Sequence, residues 1–275
     1  MISELNQNKL SKTKVHFEVI LEEGFKIIDE NKSAFNIYHT LFKRYIFGLE
    51  SLNILLKDYN IDKRYREHPI SIVLRASLLD YLITLYLATF QAEKKFNPKL
   101  EVNYKREIDK LTSEQIRRII NVHENDKKSM FYIHSEHCET VDMFKEQFSH
   151  LFNADSPIDY NKPGKSLIYQ SNDNIKNSTI RQRLDSVAHR LENIRYKDVF
   201  YLYDLYSKYD HFGTASMLLE HTDIDTVSTN ILGSIFHICE GIGFCIDLMQ
   251  EEALCKSNFD KINNEISLLR GVIHA

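Results

Sequence analysis

The sequence predicts an all-α protein, a multi-helix bundle of about nine to eleven helices with two central apolar ones. Three observations predict it. Glycine and proline together number 12 of 275 residues, well below the roughly 12% of average usage, and a sandwich or barrel needs both for its frequent turns. Apolar residues recur at helical spacing almost throughout the chain. Neither G-x-G-x-x-G nor G-x-x-x-x-G-K-[ST] occurs, which removes the glycine-loop nucleotide-binding classes. With 43% hydrophobic and 27% charged residues, a chain of this length can bury a full core without disulfides or metal staples.

The elements follow in order. Val15, Val19, Phe25, Ile27 and Ile28 make an amphipathic first helix, with Gly24 its weakest point. Ser33 is the expected cap of a second helix reaching about Tyr59, striped by Phe35, Tyr38, Phe42, Tyr45, Leu49, Leu52 and Leu56. Residues 60–68 read as a charged connector, and Pro69 suits the first turn of a third helix. That helix, 69–95, is apolar on nearly every side, the pattern of a central helix, and Pro98 ends it. A more polar helix is expected to start at Thr112 or Ser113 and run to His123, with 127–152 continuing helically. Residues 153–174 contain Pro157, Pro163 and Gly164; they read as the main loop, the one place where a single 1–275 domain would subdivide. Helices are then expected over 175–194, 196–211, 214–221, 225–249 and 258–273. Gly233, Gly241 and Gly243 interrupt the second-last of these. Each costs about 1 kcal/mol against Ala, so close helix–helix approach is the expected reason, and this is the second central helix.

The two apolar stretches are long, but 69–90 holds Arg75 and Asp80, and 226–249 holds His237, Glu240 and Asp247. A charge at a bilayer centre costs at least about 2.5 kcal/mol, so both are expected to be core helices, with no membrane partner. The start MISELNQNKLSK lacks an apolar core and the end carries no lipidation signal, so a cytoplasmic location is expected. Cys138, Cys239, Cys245 and Cys255 form no C-x-x-C pair and are expected to be free thiols. The net charge of −4 is uneven: +5 over 43–118 and −8 over 119–275.

Chemistry-bearing residues gather in a few places. Asp204, Ser207 and His211, at i, i+3 and i+7, share one helical face flanked by Tyr203 and Tyr206. An imidazole near a hydroxyl and a carboxylate can perform general acid–base work; the same trio can also simply satisfy a histidine at a helix end. Arg75 and Asp80 lie about 140° apart around their helix and so do not pair. Each needs a partner from elsewhere, because a buried unpaired charge is costly; a pocket joining Arg75 to Asp204 or His211 is the sharper expectation. His134 and Cys138 stand at i, i+4, with His137 and Asp142 nearby. The set fits no standard zinc spacing, and no metal or other cofactor is expected. Arg117 and Arg118 before His123, and Arg183 before His189, have the Arg-x4–6-His spacing of the HEPN (higher eukaryote and prokaryote nucleotide-binding) ribonucleases.

Two blocks carry a resemblance. Leu74-Arg75-Ala-Ser-Leu-Leu-Asp80, followed late in the chain by Tyr203-x-x-Tyr206-Ser207-x-x-x-His211, resembles an uncharacterised bacterial all-helical family. Its members show an L-R-S-L-x-E helix and a Y-x-x-x-S-x-x-x-H helix. Here Asp80 stands at the family's Glu, and Phe212-Gly213 follows the histidine. The chain is also loosely similar to HEPN bundles, which implies a homodimer and metal-independent RNA cleavage in a defence or stress role. On that implication His211 is the acid–base residue, Arg75 binds phosphate, and Ser207 and Asp204 orient the imidazole. The alternative is a non-catalytic helical module that binds a protein partner or a small ligand, with the same polar residues as register pins.

Overall fold

The computed structural model describes residues 2–31, 36–125, 132–154, 157–169, 180–191, 196–207, 222–252 and 257–274. These residues form an all-α structure of nine α-helices. They are α1 (Glu4–Glu30), α2 (Ile37–Leu55), α3 (Glu67–Phe96), α4 (Glu101–Asn125), α5 (His134–Gln147), α6 (Ile180–Ser186), α7 (Tyr196–Ser207), α8 (Ile224–Glu251) and α9 (Asp260–His274). Among the described residues the sole β-type pairing is one antiparallel bridge, Phe152 to Leu167. The helices gather into two compact units, residues 1–91 with 180–275, and residues 92–179.

In the first unit α1 packs on α2, α8 and α9, and α2 and α9 both pack on α8. The stripe on α2 does what its spacing requires: Tyr38, Phe42, Tyr45, Leu49, Leu52 and Leu56 are all buried. Leu74, Leu78 and Leu82 of α3, and Ile235, Ile242 and Cys245 of α8, are fully enclosed with them. By length and composition α3 and α8 could each cross a membrane, yet 67% and 61% of their most apolar stretches are buried within the protein, as core helices require. A polar thread runs through this core. The Tyr45 and Thr84 hydroxyls are 3.0 Å apart, and Thr84 Oγ1 is 3.7 Å from Cys245 Sγ. Asp80 meets Arg44 of α2 at 2.8 Å, so its expected partner comes from a neighbouring helix.

Gly241 explains how α8 comes close enough. A Cβ there would sit 2.5 Å from the Tyr45 hydroxyl and 3.1 Å from the Tyr81 ring. Gly243, by contrast, has nothing within 4 Å of the same position, and at Gly233 only Leu202 comes near, at 3.9 Å. Close approach therefore accounts for one of the three glycines. Gly24, the weak point of α1, faces Ile46 of α2, where a Cβ would come within 2.5 Å of Cδ1.

The second unit has its own small core of Ile116, Ile120, Val141, Phe144, Leu151, Phe152 and Leu167. His137 is fully buried there, with Nε2 3.2 Å from the Tyr160 carbonyl. The Arg117 guanidinium donates to the Tyr169 carbonyl.

Several boundaries differ from the sequence reading. α2 is capped by Asn36, whose side chain accepts from the His39 N–H at 2.7 Å; Ser33 lies outside the described residues. It stops at Leu55, ahead of Asp58, which adopts φ 55, a left-handed conformation that breaks a helix. α4 is one helix from Glu101 and does not begin at Thr112 or Ser113. The Thr112 hydroxyl donates back to the Ile108 carbonyl at 2.9 Å, the mid-helix alternative to capping. Of the helix expected over 175–194, the described part is α6 and a 3₁₀ turn at Ala188–Arg190. The helix expected over 214–221 lies outside the described residues.

Candidate functional site

The sequence pointed first to α7 and α3. The two do meet: the Arg75 guanidinium lies 5.7 Å from the centre of the Tyr203 ring, a cation–π distance. The carboxylate and hydroxyl beside Tyr203 have partners of their own. Asp204 pairs with Arg181 of α6 at 2.7 Å, each side chain about half exposed. The Ser207 hydroxyl donates to the Tyr203 carbonyl one turn back, at 2.8 Å. His211 lies outside the described residues. Arg181, Asp204 and Phe200 edge an open pocket of about 360 Å³.

Asp80 belongs to the core and not to that pocket. Burial pushes its carboxyl above the usual carboxylate range, and the hydrogen bond and charge of Arg44 pull it only part of the way back. In the second unit, Cys138 Sγ is 3.6 Å from His134 Nε2, while His137 and Asp142 each turn to Tyr160. Among the described residues no three His, Cys, Asp or Glu side chains converge as a metal site would need. Arg183 is buried on α6 and His189 sits in the turn after it; the His123 side chain is outside the described residues.

The first unit holds a different polar cluster, in a cleft of about 480 Å³. Gly233, Phe236, His237, Glu240 and Phe244 line it at i, i+3, i+4, i+7 and i+11, so one face of α8 forms its floor. Tyr81 of α3, Asp198 of α7, and Arg270, Ile273 and His274 of α9 complete it. The centre is the Glu240 carboxylate. Its Oε2 lies 3.0 Å from His237 Nδ1 and accepts from the Tyr81 hydroxyl at 3.3 Å; its Oε1 accepts from Arg270 at 2.9 Å. Three donors from three helices thus converge on one acid. The close approach at Gly241 is what brings the Tyr81 ring over α8.

The electrostatics follow from this arrangement. Burial first, and the Glu240 charge second, push the Tyr81 hydroxyl far above its usual range, so it stays protonated and donates. A carboxylate on Nδ1 fixes the imidazole tautomer and leaves Nε2 with the lone pair. Among the described residues Nε2 of His237 has no hydrogen-bond partner, and the side chain is partly exposed. Arg270 uses one terminal N–H on Glu240 and lies 4.8 Å over the Phe236 ring, and among the described residues its Nε–H has no acceptor. His237 and His274 flank Phe236, with ring centres 5.5 and 5.0 Å from it. The arrangement presents one base, one guanidinium and one further imidazole beside aromatic walls.

Sequence reasoning saw His237 and Glu240 only as interruptions of an apolar helix. A His-x-x-Glu pair on the buried-helix pattern is the local signal that was available. Arg270 and His274, on an ordinary amphipathic helix, gave none. No family model, curated protein or solved structure matches the chain.

Proposed function

We propose that the protein is a helical module that binds a small ligand in the cleft of α3, α8 and α9. The observation that carries this reading is the convergence of Tyr81, His237 and Arg270, from three helices, on the Glu240 carboxylate. Register pinning alone would bury such a cluster; this one opens on a cleft of about 480 Å³, a volume typical of small-molecule sites, in which Phe236 and Phe244 stand beside charged and polar side chains. The test is a thermal-shift and NMR titration with four aromatic probes of different charge: acetanilide, benzoate, phenyl phosphate and benzylamine. At least one should bind the native chain and lose binding in Glu240→Gln and Arg270→Gln. Binding by none of them, or binding that survives both substitutions, would overturn the reading.

The contact of Arg75 with Tyr203 favours a second reading. It sets the guanidinium beside the helix of Asp204 and Ser207, as a HEPN-like, metal-independent ribonuclease of a bacterial cytoplasm would need if His211 completes the site. Homodimerisation belongs to this reading. Cleavage of total RNA and tRNA in EDTA, lost in His211→Ala, supports it; no cleavage by the native chain removes it.

A further inference from the structure

Resting on the ligand-binding reading, we propose that the α3–α8–α9 cleft hydrolyses neutral aryl or alkyl carboxylic esters, with His237 as general base. The geometry supplies the base: Glu240 holds Nδ1 at 3.0 Å, the His237 side chain is 16% exposed, and Nε2 has no hydrogen-bond partner among the described residues. A histidine oriented by a carboxylate is the ordinary form of such a base. Charge selects the substrate class. Arg270, the guanidinium that lines the cleft, already pairs with Glu240 at 2.9 Å, so a phosphodiester or polyanion is disfavoured and an uncharged ester is not. The Phe236 and Phe244 rings offer apolar surface for its acyl or aryl half. No serine or cysteine lines the cleft among the described residues, so water is the nucleophile.

The step balances without a co-reactant. Nε2 takes a proton from water as the water oxygen bonds to the carbonyl carbon. The carbonyl π electrons move to oxygen, and the resulting oxyanion is stabilised by an N–H of Arg270. The tetrahedral intermediate then re-forms the carbonyl and breaks the bond to the leaving oxygen, which takes the proton back from Nε2. Ester and water give acid and alcohol. Glu240 is a positioning residue: it acts through the imidazole.

The experiment measures hydrolysis of phenyl acetate by the full chain, beside Glu240→Gln, Glu240→Asp and His237→Gln variants whose folding is checked by circular dichroism. The native chain should show saturable turnover faster than the same concentration of free imidazole. His237→Gln should lower kcat/KM by about 100-fold or more. Glu240→Gln should lower it by about tenfold or more, whereas Glu240→Asp, which keeps the carboxylate, should retain most of the rate. A Glu240 that merely fills space would show the opposite order, because Gln matches its size and Asp does not. If His237→Gln fails to fold, the Glu240 pair and the comparison with imidazole decide alone. A native rate no greater than imidazole, or a folded His237→Gln variant that keeps it, overturns the proposal. Acetanilide, the unreactive amide analogue, separates the two readings: binding without ester turnover overturns hydrolysis and leaves the binding module standing, whereas neither binding nor turnover of this neutral pair removes hydrolysis and leaves the charged probes to decide binding.

Discussion

At the scale of single residues, Gly241 and Gly243 are two residues apart on one helix yet have opposite demands placed on them. A Cβ at Gly241 meets the buried Tyr45 ring and hydroxyl, which cannot move aside. Gly241→Ala is therefore expected to destabilise by about 1–3 kcal/mol, the usual cost of overpacking. Gly243→Ala meets open space and no positive φ, so it should gain about 0.5–1 kcal/mol of helix propensity. Urea denaturation of both variants checks the contrast, and equal effects would show that the approach of α8 is not what Gly241 serves. Asp80 offers a test in pH. Its folded-state pKa is raised, because burial outweighs Arg44. A group so raised favours the folded state while protonated, and that contribution fades as pH rises through the folded value. Compared with Asp80→Asn, which does not titrate, the native chain should thus gain relative stability on going from neutral to acid pH. A native advantage in urea midpoint that grows toward neutral pH would contradict this.

At the scale of elements, the start of α1 is tied to the start of α8. Asp225 Oδ1 accepts from the Ser3 backbone N–H at 2.8 Å and from the Asn6 side chain at 2.7 Å. These bonds, the Ser3 backbone one foremost, hold the Asp225 carboxyl below its usual range. A lowered value means the tie is present above the unfolded pKa and is lost as pH falls through the folded one. Asp225→Ala should accordingly raise amide exchange in the first two turns of α1 at neutral pH, and the native chain should show the same fraying only in acid. Exchange unchanged by the substitution would mean that Ser3 capping and packing alone secure this end. The comparison of α2 with α4 shows what local sequence can convey. The α2 stripe was legible because seven apolar residues at helical spacing leave one way to bury them. The start of α4 was not, because Thr112 and Ser113 have the side chains of caps, and only the continuous turn from Glu101 decides that Thr112 bonds backward.

At the scale of the whole molecule, the fold class was legible and the cleft was not, for one physical reason. Helical periodicity is a local property repeated many times, whereas the Glu240 cluster is a single event joining positions 81, 237, 240 and 270. Asp204 and Ser207 show the converse. Their shared face was visible in the sequence, but Arg181 and the Tyr203 carbonyl, which engage them, became visible only in three dimensions. The division into two units likewise has no sequence mark at its first boundary, since α3 runs unbroken through positions 91 and 92. It has an energetic consequence. Among the described residues the first unit encloses long buried faces of α2, α3 and α8, while the hydrophobic cluster of the second is small, with seven buried residues. Opening free energy scales with the apolar contacts that must be broken. Native-state hydrogen exchange should therefore find peptides from α4 and α5 opening at lower free energy than those from α2 and α8. Their exchange should also accelerate at denaturant concentrations that leave α2 and α8 protected. A single common opening energy across all four helices would mean instead that the small core of 92–179 unfolds only with the rest, and that the continuous α3 couples the two units into one cooperative fold.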